Sequence, residues 1–175
     1  AKDEIVFIGR FKKGLKKKNN SVSKTLNILR DKKRINNYYK ITINKKVPLF
    51  SGLGGGTSNA YFVVNYFIKN SLDKKLINIF ASKIGSDFRL FLNNRGAYQK
   101  DLKSFVNYKK KFKFYILLVY PNINCSSKEI YSKVKQFDKI NNLDLNKTFR
   151  KREFINLLKK ERNDLQSIAV KKFPV

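Results

Sequence analysis

The stretch Val47–Phe67, VPLFSGLGGGTSNAYFVVNYF, holds four of the chain's eight glycines within five residues, directly before an apolar run. Glycine loses more conformational freedom on folding than any other residue. Such a cluster therefore needs a reason in backbone geometry, or in a ligand that must come close. Downstream of it, Ala60, Val63, Val64, Phe67 and Ile68 recur at the spacing of one helical face. Upstream, Tyr39, Ile41 and Ile43 alternate with Lys40, Thr42 and Asn44, as in a half-buried strand. Strand, glycine loop, amphipathic helix: this order sets the free N–H groups and positive dipole end of a helix behind a loop without side-chain bulk. Such a place binds anions. The hydroxyls of Thr57 and Ser58 can add a donor or reach a metal ion. The competing reading is a tight turn with Thr57 as an ordinary N-cap, but a turn uses one or two glycines, not Gly52, Gly54, Gly55 and Gly56 together. The common phosphate loops do not fit. G-x-x-x-x-G-K-S/T needs a Lys that this loop lacks, and G-x-G-x-x-G fails at Thr57.

The composition narrows the field. A chain of 175 residues with 42% hydrophobic content has material for a real core in one domain or a small pair. Cys125, the only cysteine, cannot form an internal disulfide, and no apolar run approaches the ~20 residues of a spanning helix, so a cytoplasmic protein without a membrane partner is expected. With no His, every His-dependent triad and acid–base scheme is excluded, and no zinc site is expected. Forty Lys+Arg against twelve Asp+Glu give a formal charge of +28, which invites a nucleic-acid reading. The basic residues are spread along the whole chain, however. The runs FKKGLKKKNN and NYKKKFKF read as solvated loops and edge strands, and a nucleic-acid partner is not expected.

Along the chain, DEIVFIGRF reads as a strand and NSVSKTLNILR as a helix. DKKLINIFASKI predicts a helix stopped by Gly85, and SDFRLFL a short helix capped by Ser86 or Asp87. The polar segment 93–111 is a candidate boundary between a domain at 1–98 and a second at 99–175. FKFYILLVY, apolar on both faces, predicts a strand central in a sheet. Ser126 and Glu129 have capping-box spacing ahead of a helix KEIYSKVKQ. DKINNLDLNKTF reads as loop, and REFINLLKKERNDLQSIAVKKF as helical with a break near Asn163. Strands and helices mix without strict alternation, so the class is α+β.

The pattern Pro48-x-x-x-Gly52-Leu53-Gly54-Gly55-Gly56-Thr57-Ser58 resembles the ATP-binding signature of the GHMP kinases, which phosphorylate small alcohols and acids. Further segments match in order. Lys45 stands three residues before Pro48, and Asn20 in NNSVSKTLNIL is similar to a helix start that the family keeps beside the nucleotide. KIGSDFRLFLNNRGA resembles the stretch that carries the family's catalytic base, here Asp87. YPNINCSSKEIY places Tyr131 at an aromatic position, and ERNDLQSIAVKKFP is similar to a late family segment. The matches run from about Asp3 to Pro174.

The resemblance implies the GHMP-kinase α+β fold, with an N-terminal half that shares its architecture with a ribosomal-protein domain and part of a C-terminal domain. It implies ATP and Mg²⁺ as cofactors. The ATP contacts would come from Pro48, Gly52, Leu53, Gly54, Gly55, Gly56, Thr57, Ser58 and Asn59, with Lys45 and Asn20 on the nucleotide side. Lys-x-x-Pro before GLGGGTSNA is most like the members acting on a cytidine-diphosphate methylerythritol. This implies a small-molecule kinase of non-mevalonate isoprenoid synthesis, with Asp87 as base and Tyr131 stacking on cytosine. From position alone Asp87 is equally a plain N-cap, and Tyr131 a core aromatic. A homoserine- or mevalonate-type kinase and a basic RNA-binding module are the alternatives, since fold alone never settles function. Three features depart from the family: Arg89 replaces a Pro, a G-x-G-E segment is missing after RGA, and the family's first, Lys-bearing segment and last glycine loop have no counterpart in the chain. The chain is accordingly expected to be a piece of a longer protein and nearly inactive by itself.

Overall fold

A computed structural model describes residues 2–68, 71–92, 96–99, 101–102, 105–107, 112–121, 123, 125–136 and 150–174. Its N-terminal part is built on two parallel strands. β1 (Glu4–Ile8) pairs with β2 (Lys40–Asn44), Glu4 facing Lys40 and Ile8 facing Asn44. A parallel pair needs a crossover, and helix α1 (Ser21–Asp31) supplies it. The β2 alternation is as expected: Tyr39, Ile41 and Ile43 are half-buried, while Lys40, Thr42 and Asn44 face solvent. Arg30 closes the unit. Its guanidinium reaches both Asp3 carboxylate oxygens at 3.1 Å and the Asn37 carbonyl at 3.0 Å, and Asp3 Oδ1 also accepts from the Tyr39 amide at 2.9 Å. One ion pair thus ties the last turn of α1 to the starts of both strands.

Helix α2 (Gly55–Ile68) packs on α1, with Ala60, Val64 and Ile68 buried against a cluster holding Val22, Leu26 and Leu29. Asp73 caps α3 (Lys74–Lys83) by accepting the Leu76 amide at 2.7 Å, and Gly85 follows the helix at φ +155°. SDFRLFL forms a 3₁₀ helix (Ser86–Leu92) that starts from the Gly85 carbonyl, which accepts the Phe88 amide at 3.0 Å. The expected side-chain cap is not there: Ser86 and Asp87 lie inside the first turn and only face each other, at 3.5 Å. Phe88 is fully buried and stacks on Phe80 with ring centroids 5.1 Å apart. Arg89, the departure from the family pattern, bridges the Asn78 side chain (2.8 Å) and the Leu102 carbonyl (2.9 Å), so it serves as a strut.

Beyond residue 92, β3 (Ala97–Gln99) and β4 (Phe105–Asn107) form an antiparallel pair inside the stretch expected to be a polar boundary. Helix α4 (Ser127–Ser132) has half of its capping box. Ser126 Oγ accepts the Glu129 amide at 3.4 Å, while the Glu129 carboxylate turns away to Lys133 and Lys172. Helices α5 (Lys151–Lys160) and α6 (Gln166–Lys172) are separated where the break was expected, with Asn163 Oδ1 accepting the Leu165 amide. DKINNLDLNKTF lies outside the described residues.

A second expectation fails. FKFYILLVY makes no strand: Tyr115 and Leu117 are fully or almost fully exposed, and no described strand pairs with the segment. A run of apolar residues reports what side chains could bury, but a sheet also requires a neighbouring backbone to complete its hydrogen bonds.

The Phe80–Phe88 stack joins α3 to the 3₁₀ helix that carries Asp87. Phe88→Ala should cost about 3–5 kcal/mol, the usual loss for a buried Phe, measured by urea unfolding. A loss below ~1 kcal/mol would show that this stack does not anchor the 3₁₀ helix.

Candidate active site

The end of β2, the starts of α1 and α2, and the 3₁₀ helix enclose a cleft of about 380 Å³. Its floor is the glycine segment, Pro48 and Gly52 to Thr57, with Asn59 two residues further along α2. Lys45, Asn20 and Asp87 line the walls, so most residues singled out in the sequence converge on one space.

The glycines have two different reasons to be there. Gly52 and Gly54 sit at φ +70° and +63°, where a side chain is strained. Gly55 and Gly56 have no such backbone need, because they already form the first turn of α2. They sit at close approaches that a Cβ would just fill. A Cβ on Gly55 would lie 3.5 Å from Lys45 Nζ and 3.6 Å from Val47, and one on Gly56 would lie 3.6 Å from Ser21 Oγ. The helix therefore begins two residues before Thr57, which is not its N-cap. The Gly54 carbonyl accepts the Ser58 amide at 2.8 Å, leaving the earlier amides of the first turn free of that pairing.

Lys45 is the strongest electrostatic feature. It is only 6% exposed, and burial lowers its pKa from 10.5. No carboxylate among the described residues pairs with it, and its Nζ lies 3.5 Å from where a Gly55 Cβ would be. Asp87 is exposed at the rim, its Oδ2 3.9 Å from where a Gly54 Cβ would be. Its carboxylate makes no backbone cap, which removes the plain N-cap reading.

Asn20 lines the cleft, yet its amide is fully used. Oδ1 accepts from the Val22 and Ser23 amides, and Nδ2 donates to the Lys16 and Lys17 carbonyls. It shapes the wall and has no hydrogen-bonding capacity left for a ligand. Ser58 does not line the cleft, because its position on α2 turns it away. Tyr131 is 55% exposed on α4, outside the cleft and not in the core. The sequence reading missed Ser21 and Ser127, whose hydroxyl-bearing residues line the cleft from the first turns of α1 and α4. Their signal was the serine following each helix cap.

The donor set suits a magnesium ion that arrives with phosphate. Among the described residues no group of three acidic, Cys or His side chains could hold a metal alone. The cleft does offer one carboxylate, Asp87, and the Thr57 hydroxyl, and Mg²⁺ is commonly held by one or two protein oxygens plus substrate phosphates.

Residues 20–93 match the family described as GHMP kinases N terminal domain. The similar curated proteins are narrower. A 4-diphosphocytidyl-2-C-methyl-D-erythritol kinase of Pelagibacter ubique is 39% identical over 98% of this chain and 61% of its own length. Proteins of the same name from Sulfurihydrogenibium and Caldanaerobacter subterraneus are 32% and 28% identical, over 75% and 98% of this chain and 50% and 62% of their own lengths. The chain thus spans between half and two thirds of each of these relatives. No helix among the described residues is long and apolar enough to cross a membrane.

Two stability tests follow from this geometry. Gly54→Ala should lose about 1–2 kcal/mol by forcing a left-handed alanine, whereas Gly55→Ala should be neutral or slightly stabilising in its helical turn. Equal losses in urea unfolding would show that both glycines answer the same need. Lys45→Met should raise Tm at neutral pH by removing a buried unpaired charge. The folded state holds the Lys45 proton less tightly than the unfolded chain, so the wild type gains stability as pH rises from its lowered pKa toward 10.5. The Tm advantage of Lys45→Met should shrink over that window. An advantage that stays constant with pH would mean the charge is not the cause.

Proposed function

We propose that this chain is the nucleotide-holding part of an ATP-dependent small-molecule kinase whose acceptor is the 2-hydroxyl of 4-diphosphocytidyl-2-C-methyl-D-erythritol, a step of non-mevalonate isoprenoid synthesis. The observation that carries the reading is the convergence of a glycine-floored helix N-terminus, an unpaired buried lysine and a carboxylate on one cleft. The substrate comes from the names of the relatives.

In this reading the free amides of the first α2 turn and Lys45 hold the phosphates of ATP, and the Thr57 hydroxyl would help hold a Mg²⁺ that arrives with them. The ion would supply positive charge against the phosphate oxygens. Asp87 accepts the proton of the acceptor hydroxyl as its oxygen bonds to the γ-phosphorus. The bond to the β-phosphate oxygen breaks, and ADP leaves. Tyr131 offers an exposed ring for the cytosine, and residues 1–98 would form the ATP-holding domain with 99–175 as part of the acceptor side.

Asp87→Asn in the full-length protein should lower kcat by roughly 10²–10⁴ with little change in Tm, because the carboxylate caps no helix. A near-wild-type kcat would remove the base assignment. Gly55→Val should wedge a branched side chain between Lys45 Nζ and Val47 and weaken ATP binding in a protein that still folds. Undiminished affinity would remove the phosphate reading of the cleft.

A further inference from the structure

The loop between β1 and α1 carries Arg10, Lys12, Lys13, Lys16, Lys17 and Lys18 with no acidic residue among them. As a sequence it reads as solvated, but the structure lays it along the cleft. The Phe11 amide donates to the Lys45 carbonyl at 3.2 Å, and a Cβ on Gly14 would lie 3.7 Å from Leu49, which lines the cleft. Leu15 itself lines the cleft, and Asn20 pins the Lys16 and Lys17 carbonyls at 3.0 and 2.9 Å. Between these anchors all six cations are exposed, and none forms an ion pair within the described residues.

The geometry points to a capture surface: the loop at residues 10–18 draws polyphosphate ligands out of solution and passes them to the cleft. This inference rests on the nucleotide reading of that cleft. Exposed lysines on flexible stems hold a ligand weakly, but a one-signed rim beside a cleft raises encounter rates by about 10- to 10³-fold at low salt. Lys45 is the opposite case: a single buried cation that retains what arrives. A single-stranded RNA would need exposed aromatic rings in the loop. Its one ring, Phe11, is half-buried and packed edge-on against Tyr120 at 5.7 Å, so a small polyanion is the better fit.

The test compares three full-length proteins: wild type, a rim variant and a remote variant. The rim variant carries Lys12→Gln, Lys13→Gln, Lys16→Gln, Lys17→Gln and Lys18→Gln. The remote variant neutralises five exposed cations on or next to α5, namely Lys151, Arg152, Lys159, Lys160 and Arg162, each →Gln. Association rates are read by stopped flow with ATP, with inorganic tripolyphosphate and with neutral adenosine. The rim variant should bind ATP and tripolyphosphate at least about tenfold more slowly at low salt, and the gap should close near ~1 M salt, where the Debye length falls to about 3 Å. Adenosine rates should not change, and the triple change at Lys16, Lys17 and Lys18 alone should give an intermediate slowing.

An equal slowing in the remote variant would assign the effect to net charge and overturn the proposal. So would an unchanged rate in the rim variant, or a loss of RNA retention with nucleotide rates intact. A wild type that binds ATP normally while the rim variant matches it defeats only the capture surface. A wild type that binds neither ATP nor tripolyphosphate defeats the cleft reading as well.

Discussion

The close approach of α2 to its neighbours governs the site. At Gly55 and Gly56 the helix begins against Lys45 on one side and Ser21 on the other, so close that a Cβ at either position would already be in van der Waals contact. That contact brings together three segments from separate parts of the sequence: the end of β2, the start of α1 and the start of α2. It also aims the unpaired amides of one helix into the space beside a buried ammonium. The 3₁₀ helix then completes the cleft, because Phe88 is locked under Phe80 and carries Asp87 to the rim.

The arrangement carries a cost in stability. Lys45 is a buried residue with no carboxylate partner among the described residues, and its lowered pKa records that burial disfavours the charge. The non-glycine Phe50 at φ +54° adds strain on the same side of the cleft. Functional sites commonly hold such strain, with the surrounding core compensating; here that core is the α1–α2–α3 cluster around Leu26, Val64 and Phe80. The ion pair of Arg30 with Asp3 stands at the far end of α1 and holds the strand pair from which Lys45 projects.

Much of this was legible in the chain because the deciding signals are local. Alternation in KITIN, the helical spacing of Ala60, Val64 and Ile68, and the stop at Gly85 each follow from sterics within a few residues. The glycine cluster marked the floor of the cleft for the same reason. The errors arose where a residue's role depends on something distant. Asn20 was expected to face a nucleotide, but loop carbonyls at Lys16 and Lys17 fill its amide. Ser58 shares the motif with Thr57, yet one residue along a helix is a turn of about 100°, enough to leave the cleft. FKFYILLVY had the composition of a central strand and lacks a paired backbone among the described residues.

The sequence by itself determined the class of the protein, the glycine-rich strand-to-helix turn and the candidate carboxylate. These depend on residue type, spacing and backbone freedom, which act over short range. Only the tertiary structure decided which polar groups remain free. Lys45 became a buried cation without a partner, Asp87 lost its capping role, and a loop of lysines came to rest along the cleft. Burial and pairing are properties of what folds around a residue, and the cleft beside these three is built from segments spread along the chain from Phe7 to Ser127.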